Sequence, residues 1–390
     1  MHLVGKNRSN PWLKRLVPPM LVLALAAGLA ACGSSDDSSS DSSSSSGGGK
    51  KIALLLPETK TARYESQDKP LFEQYVKEEC PDCEVLYSNA DQDSAKQQSQ
   101  VEAAITEGAD VIVLDPVDSE SAAAMVNRAK QSDIPVISYD RLILDAPVDY
   151  YVSFDNTKVG ELQGTKMSEN LKKEGSPTGP IVKINGSPTD NNATLFKEGS
   201  NAAFAEAGVK IAKEYDTPDW SPDKAQTEMD QAITALGKDG FNGVYAANDG
   251  TAGGAIAALK GAGIDPSTMS VTGQDAELSA IQRILAGEQF LTIYKAIKPE
   301  AKAAAQLAIA AANGEDPPEG LVNGEEDNGQ GQIPSVLLDP VAVTKDNVND
   351  TVIKDGFWTV QEVCTPAYNC LLYTSPSPRD RTRTRMPSSA

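Results

Sequence analysis

The fold is decided by residues 109–140, which read ADVIVLDPVDSESAAAMVNRAKQSDIPVISYD. Residues 109–116 form a nearly continuous apolar run, as in a parallel strand that is covered on both faces. Residues 119–131 follow with helical spacing and a serine at their start, and 134–140 form a second buried strand. A strand, a helix and a strand in this order predict a βαβ unit with parallel strands.

The same alternation continues on both sides of this unit. Strands are predicted at 51–57, 85–87, 150–154, 180–184, 209–215, 243–247, 271–272, 290–295 and 336–343. Helices are predicted at 68–79, 94–107, 157–173, 191–207, 222–237, 251–262, 299–313 and near 346–354. This pattern predicts an α/β protein with two doubly wound parallel-sheet lobes.

The last predicted elements are too small to stand alone, so they must return to the earlier lobes. We expect 50–154 with about 296–334 to form the N-terminal lobe, and 155–295 with about 335–363 to form the C-terminal lobe. A chain that crosses between two lobes several times makes a multi-crossover hinge with a cleft between the lobes.

The first 31 residues predict a lipoprotein signal peptide. Four basic residues precede a short apolar run that starts at Met20, and small residues stand directly before Cys32. This pattern is similar to a bacterial lipobox, which implies cleavage before Cys32 and its lipidation; the alternative is an ordinary signal peptide with an incidental cysteine. Residues 32–49 are a Ser/Gly-rich tether. We therefore expect export and a lipid anchor on the outer face of the cytoplasmic membrane, at the cell surface or in the periplasm.

The remaining cysteines fit an oxidising compartment. Cys80 and Cys83 form a CxxC pair that could be a redox motif, half of a metal site or a structural disulfide. The pair follows a predicted helix instead of opening one, and neither a second CxxC nor a histidine completes a metal site, which favours the structural disulfide. Cys364 and Cys370 are a second candidate pair.

The C-terminal residues 370–390 read as the translation of a sequencing adapter. We expect genuine protein to stop near Asn369 and exclude this tail from the fold. The alternative is a disordered basic tail.

Composition excludes several functional classes. The formal net charge of −20 argues against nucleic acid as a partner. The single histidine, His2, lies in the predicted signal peptide, so Ser–His and Cys–His nucleophiles and histidine zinc sites are excluded from the mature protein. Nucleotide-loop spacings are absent and no EF-hand spacing is found, although calcium stays open. We predict no cofactor.

Polar side chains follow nearly every predicted strand. They include Arg63, Asp140, Arg141, Asp155, Asn156, Asp190, Asn192, Asn248, Gln274, Asp275 and Lys295. Ligands of open α/β sheets bind at the carboxyl ends of the strands. Carboxylates, amides, guanidinium and ammonium groups together suit a polyol, whose hydroxyls both donate and accept, and Tyr64 and Trp220 could cover its apolar faces. Each residue alone could be a turn or a helix cap, but agreement at seven strand ends favours a binding cleft.

Five segments carry a family resemblance. They are DRLILDAPVDYYVSFDNTKVGELQG at 140–164, GSPTDNNATLFKEG at 186–199, ANDGTAGGAIAALKGAG at 247–263, GQDAELSAIQRILAGEQFLTIYK at 273–295 and DTVIKDGF at 350–357. Together they resemble the type I periplasmic sugar-binding proteins of ABC importers over about 50–357. The resemblance implies the type I periplasmic binding protein fold and a monomeric, non-enzymatic protein that binds D-xylose or a similar aldose and delivers it to a membrane permease.

The resemblance also assigns site residues. It matches the family's sugar-binding polar residues to Arg63, Asp140, Arg141, Asp190, Asn192, Asn248, Asp275 and Lys295, and a stacking tryptophan to Trp220. Tyr64 stands where xylose-binding members carry a second tryptophan, and the segment 58–62 departs from their acidic pattern. Glucose, galactose and arabinose therefore stay open as ligands.

Three other functions remain as alternatives. A sugar sensor for a chemotaxis or signalling receptor would share the binding site. A sugar-responsive repressor would need a basic helix-turn-helix where this chain has the predicted signal peptide. A glycosidase would use paired carboxylates in the cleft, and turnover of nitrophenyl glycosides would reveal it.

Overall fold

A computed structural model describes residues 49–365 of the chain. The predicted signal peptide, nearly all of the tether, Cys32, Cys370 and the predicted adapter tail lie outside the described residues.

Two sets of elements make up the described part. The strands are β1 Lys51–Leu56, β2 Glu84–Asn89, β3 Val111–Leu114, β4 Val136–Tyr139, β5 Tyr150–Phe154, β6 Ile181–Asn185, β7 Ile211–Asp216, β8 Gly243–Ala246, β9 Ser270–Val271, β10 Leu291–Tyr294, β11 Gly324–Asp327, β12 Gln332–Leu338 and β13 Val341–Thr344. The α-helices are α1 Lys69–Glu79, α2 Ser94–Thr106, α3 Ala123–Lys130, α4 Asn156–Lys173, α5 Asn191–Ala207, α6 Pro222–Leu236, α7 Asp249–Gly261, α8 Leu278–Ala286, α9 Ile297–Asn313 and α10 Val360–Val363. Short π-helical turns at Tyr64–Asp68 and Asn349–Ile353 and 3₁₀ turns at Pro218–Trp220 and Pro266–Thr268 complete the elements.

The first lobe is built on a sheet in the order β11-β12-β5-β4-β3-β1-β2, parallel except for the β11–β12 pair. Both faces of this sheet are buried: in β1, Ile52 and Leu54 pack into one apolar cluster and Ala53 and Leu55 into another. Burial on both faces explains the nearly continuous apolar runs in the sequence, because successive strand residues point to opposite faces.

The second lobe is built on the parallel sheet β7-β6-β8-β9 and the antiparallel pair β10–β13. Helices α4 and α5 pack against each other, as do α6 and α7, and apolar clusters lie on both faces of the sheet. The prediction of two doubly wound lobes is therefore confirmed.

The chain crosses between the two sheets after β5, after β10 and after β12. The sequence analysis assigned residues of about 335–363 to the C-terminal lobe. The structure differs from this assignment for most of the segment. Residues Ser335–Leu338 pair with β5 of the first sheet, and β13 alone pairs with β10. Val352 and Phe357 then pack in the apolar cluster of the first sheet. The division falls at Asp339 and Pro340, because proline cannot donate a ladder hydrogen bond.

A disulfide joins Cys80 and Cys83 at the end of α1. We expect the double variant Cys80→Ser, Cys83→Ser to lower the free energy of unfolding by about 2 kcal/mol, because the bond restricts the unfolded chain. Urea unfolding of the two proteins measures this difference, and reductant should lower the stability of the parent more than that of the variant. Equal midpoints without reductant would contradict the expectation.

Within residues 49–365, no helix combines the length and the apolar character that crossing a membrane requires.

Candidate functional site

One cavity of about 280 Å³ brings together all ten residues that the sequence predicts as ligand contacts. The ten are Arg63, Tyr64, Asp140, Arg141, Asp190, Asn192, Trp220, Asn248, Asp275 and Lys295, and the cavity is completed by Thr61, Phe196 and Gln274. Both lobes contribute, and each of the ten is at most 4% exposed. This volume includes space that is open to solvent.

Three of the lining residues have left-handed backbone conformations. The φ angles are 54° at Asp140, 51° at Trp220 and 92° at Asp275. Non-glycine residues adopt positive φ at a cost of order 1–3 kcal/mol, which the surrounding structure must offset. Such conformations gather at functional sites and here aim two carboxylates and an indole at one cavity.

The Asp140 carboxylate is the charge centre of the cavity. Its Oδ1 accepts from Lys295 Nζ at 2.9 Å, and its Oδ2 lies 3.1 Å from Arg63 Nη2 and accepts from the Tyr64 hydroxyl at 3.1 Å. Burial by itself would raise the pKa of Asp140, but Arg63, Lys295 and Arg141 outweigh burial and hold the pKa well below its ordinary value. Asp140 is therefore an anion that fixes two cations.

A second buried carboxylate, Asp190, caps the start of α5 by accepting from the backbone N–H of Asn192 at 2.9 Å. Its Oδ2 accepts from Trp220 Nε1 at 3.0 Å and lies 3.0 Å from Arg141 Nε. Arg141 belongs to the first lobe and Asp190 to the second, so this ion pair spans the cavity. One side chain thus caps a helix, orients the indole and joins the lobes.

The Trp220 indole lies against a glycine. A Cβ on Gly186 would stand 2.0 Å from Trp220 Cη2, so only glycine leaves room for the ring. Trp220 also meets Phe196 edge to face, with ring centroids 6.3 Å apart. The indole is held in place before any ligand arrives.

The two predicted asparagines already make hydrogen bonds. Asn192 Nδ2 donates to the backbone carbonyl of Asp140 at 2.9 Å, a further bond between the lobes. Asn248 caps α7, where its Oδ1 accepts from the backbone N–H of Thr251 at 2.9 Å. Asn248 is thus both a helix cap and a cavity residue.

Several buried polar atoms at the cavity have no hydrogen-bond partner among residues 49–365. They are Arg63 Nε, Arg63 Nη1 and Gln274 Oε1. An unsatisfied buried polar group costs about 1–3 kcal/mol, so such groups call for a partner that the protein alone does not provide. Two donor nitrogens of Arg63 and one acceptor oxygen of Gln274 therefore lack hydrogen-bond partners at the cavity wall.

Sequence reasoning did not identify three acids behind the cavity. Asp68 Oδ1 lies 3.2 Å and Glu300 Oε2 3.8 Å from Arg63 Nη2, and Asp115 Oδ1 lies 3.6 Å from Arg141 Nε. Burial raises the pKa of all three carboxyls despite the nearby arginines. These acids contact the guanidinium groups of Arg63 and Arg141 and do not line the cavity. Asp68 and Glu300 lie within helical segments, so a search of strand ends does not identify them.

Two lining residues were missed, and a third, Gln274, was named among the strand-end residues but not selected as a ligand contact. Phe196 stands one helical turn after Asn192 on α5, so helical spacing places Phe196 and Asn192 on one face. Thr61 precedes Arg63 in a loop whose backbone is held by the buried Glu58 carboxylate. Within the described part of the chain, no cluster of acids and cysteines forms a metal site.

Residues 52–316 match the sequence profile of a periplasmic binding protein domain. The chain belongs to the periplasmic binding protein family. It is 39% identical over 316 residues to the D-xylose-binding periplasmic protein of Haemophilus influenzae, covering 80% of this chain and 91% of the relative. It is 34% identical over 289 residues to the multiple sugar-binding periplasmic receptor of Rhizobium radiobacter, covering 70% of this chain and 81% of that receptor.

A solved periplasmic binding protein supports the fold. The solute-binding protein of an ABC transporter from Clostridium phytofermentans, whose structure holds β-D-glucose, superposes with a TM-score of 0.71 at 29% identity. The match covers 81% of this chain and 100% of that structure, which confirms the predicted type I fold. Periplasmic binding proteins bind their ligands without converting them, so the chain is a binding protein and not an enzyme.

Proposed function

We propose that this periplasmic binding protein is the substrate-binding lipoprotein of an ABC-type importer and holds D-xylose or a similar aldose between its lobes. The observation that carries the proposal is the set of buried atoms without a hydrogen bond, Arg63 Nε and Nη1 and Gln274 Oε1, at the cavity between the lobes. A sugar supplies what these atoms lack, because each hydroxyl can accept from the guanidinium and donate to the amide oxygen.

The shape and chemistry of the wall support a sugar over other small molecules. Tyr64 and Trp220 provide aromatic faces for C–H groups, and Asp140 and Asp275 provide carboxylates for hydroxyl groups. The wall carries charges of both signs, which suits a neutral polar ligand better than an ion. The names of the similar proteins point to the same class of ligand.

The mechanism that we propose is closure of two lobes around the sugar. The ion pair Arg141–Asp190 and the bond from Asn192 to the Asp140 carbonyl join the lobes in this closed form. The lobes would separate at the crossings near 155, 295 and 339, and a sugar that touches both lobes favours closure by its higher affinity for that state. The permease would then recognise the closed lobe surfaces.

The proposed anchor completes the mechanism. A lipid on Cys32 and the tether 32–49 would keep the protein near its permease and raise its effective concentration there. A role as a sugar sensor for a signalling receptor uses the same closed form, so it is compatible with this proposal.

The proposal is tested by calorimetry and thermal shift on purified residues 50–369. The ligand panel is D-xylose, L-arabinose, D-ribose, D-glucose, D-galactose and myo-inositol. A bound sugar at about 100 times its Kd stabilises the fold by about 2.7 kcal/mol, so the melting temperature should rise for one or a few aldoses. Arg63→Met should abolish this response, because it removes the guanidinium group at the cavity. Arg128→Met is the matched control, since Arg128 is exposed on α3. The proposal would be contradicted if no monosaccharide raised the melting temperature, or if the Arg63 variant showed the same rise as the wild type.

Gly186→Ala is expected to weaken sugar binding about tenfold, because the added methyl group displaces the Trp220 indole from the cavity wall. Tryptophan fluorescence should shift in the absence of sugar, which reports the displaced ring directly. Gly261→Ala is the control, since a Cβ there meets nothing within 4 Å. Wild-type affinity in the Gly186 variant would contradict the role given to Trp220.

A further inference from the structure

The backbone that carries Gln274 and Asp275 into the cavity is unusual at two successive residues. Asp275 has a φ of 92° and Ala276 a φ of 51°, and both are buried. Two left-handed non-glycine residues in a row persist only where other groups fix the backbone. The direction of the Asp275 carboxylate therefore depends on whatever holds these two peptide units.

Two of the holding bonds come from the adjacent strand β10. The backbone N–H of Asp275 donates to the carbonyl of Ile293 at 2.8 Å, and the N–H of Ala276 meets the Thr292 hydroxyl oxygen at 3.1 Å. On the other side, the N–H of Asp249 donates to the carbonyl of Gln274 at 3.0 Å. All three bonds arise within the second lobe.

The peptide that joins Ala276 and Glu277 is held at both of its polar atoms: the N–H of Glu277 donates to Asp249 Oδ2 at 3.0 Å, and the carbonyl of Ala276 accepts from the C-terminal segment. Trp358 Nε1 donates to the carbonyl of Ala276 at 2.7 Å. Trp358 directly follows 350–357, the last of the segments that carry the family resemblance. The segment that carries Trp358 packs in an apolar cluster that holds residues of the first sheet together with Ala276, Ile281 and Ile284.

The indole of Trp358 is itself held firmly. Phe357 is 3% exposed and packs edge to face on both Trp358 and Tyr294, with centroid separations of 5.3 Å and 5.0 Å. The Phe357 carbonyl accepts from Gln67 Nε2 at 3.4 Å, beside the turn that carries Arg63 and Tyr64. The segment therefore touches the supports of the cavity in both lobes.

We propose that Trp358 is a positioning residue for sugar binding, which orients the Asp275 carboxylate by holding the Ala276 carbonyl with its indole N–H. This inference rests on the proposed sugar-binding function. Trp358 does not line the cavity, and its indole N–H reaches the cavity residue Asp275 through the Asp275–Ala276 backbone. Trp358 thus sets the orientation of the Asp275 carboxylate and makes no contact with the sugar itself.

The test is a double-mutant cycle measured by calorimetry with the best sugar of the panel. Trp358→Phe keeps an aromatic ring beside Phe357 and removes the N–H, so the Kd should rise about tenfold. Asp275→Ala alone should raise the Kd about thirtyfold, because it leaves buried partners unpaired. Adding Trp358→Phe to Asp275→Ala should change the Kd less than twofold, since no carboxylate remains to be aimed.

The control is Val352→Ala, which truncates a fully buried residue of the same segment without touching the Ala276 carbonyl. It should lower the melting temperature and leave the Kd unchanged. A tenfold loss that persists in the Asp275→Ala background, or no loss in Trp358→Phe, overturns the inference. If the wild type binds no monosaccharide, the proposed function itself fails, which is a different and prior result.

Discussion

Asp140→Asn is expected to weaken sugar binding by on the order of a hundredfold or more, about 3 kcal/mol, which would be the largest effect of any conservative change in the cavity. The carboxylate holds Arg63 Nη2 and Lys295 Nζ at 3.1 Å and 2.9 Å. An asparagine there keeps the shape but loses the charge, and its Nδ2 would point a donor at another donor. The positive charges of Arg63 and Lys295 would then lie close together in the cavity without the negative charge that now balances them.

The same substitution should also lower the stability of the folded protein. Breaking a buried pair by removing one partner costs about 3–5 kcal/mol when nothing compensates, and Asp68 and Glu300 beside Arg63 compensate in part. We therefore expect a folded variant with a lower melting temperature, measured by circular dichroism before the calorimetry.

Asp93→Asn is the matched control. Asp93 is exposed and caps the start of α2 with its side chain, away from the cavity and the crossings between the lobes, and asparagine caps a helix as well as aspartate does. Its Kd should equal that of the wild type. If Asp140→Asn also binds normally, the ion pairs around Asp140 are structural only, and the sugar contacts lie elsewhere in the cavity.

The rule that parallel sheets bind ligands at their carboxyl ends predicted the lining of the cavity well. It worked because Asp140 follows β4 directly, while Asn248 and Asp275 come within four residues of the ends of β8 and β9, so their position along the chain fixes the sheet edge that they reach. The pairing of the charges could not be predicted. Whether Arg141 pairs with Asp190 or with Asp115 depends on how closely the two lobes approach, which no local pattern encodes.

The elements that were missed have separate causes. Strand β11 has the sequence GEED, which carries no apolar pattern because it lies at an exposed sheet edge. Helix α8 does carry the signal: Leu278, Ile281 and Ile284 repeat at helical spacing. The sequence pattern therefore contains this helix, and the prediction that left it out was wrong.

Stability is expected to fall as the pH rises from about 6 to about 8, by on the order of 2 kcal/mol. Two carboxyls behind the Asp275 loop are responsible. Burial, and then the neighbouring acids, raise the pKa of Asp249 to about 7 and that of Glu277 to about 8. In the unfolded chain both groups ionise near pH 4, so between these values the folded state holds more protons than the unfolded state.

The sign follows from proton linkage. Where the folded state binds more protons, each unit of rising pH lowers the free energy of unfolding, by up to about 1.4 kcal/mol for one group, until the folded pKa is passed. Arg283 partly opposes the shift of both groups. Above pH 8 the trend should weaken, because burial lowers the pKa of Lys183 to about 8, and a lysine that loses its proton early in the folded state contributes the opposite slope.

Glu277→Gln tests the assignment of this effect to the acidic pair. The variant removes one of the two neighbouring acids and keeps an amide oxygen that can still accept from the Ser279 hydroxyl and from the backbone of Ala62. Urea unfolding between about pH 6 and about pH 8 should show a flatter stability profile and a variant more stable than the wild type at the upper end. Glu102→Gln on the exposed face of α2 should reproduce the wild-type slope. An unchanged slope in Glu277→Gln would mean that Glu277 is ionised in the folded protein across this range and contributes nothing to the fall in stability.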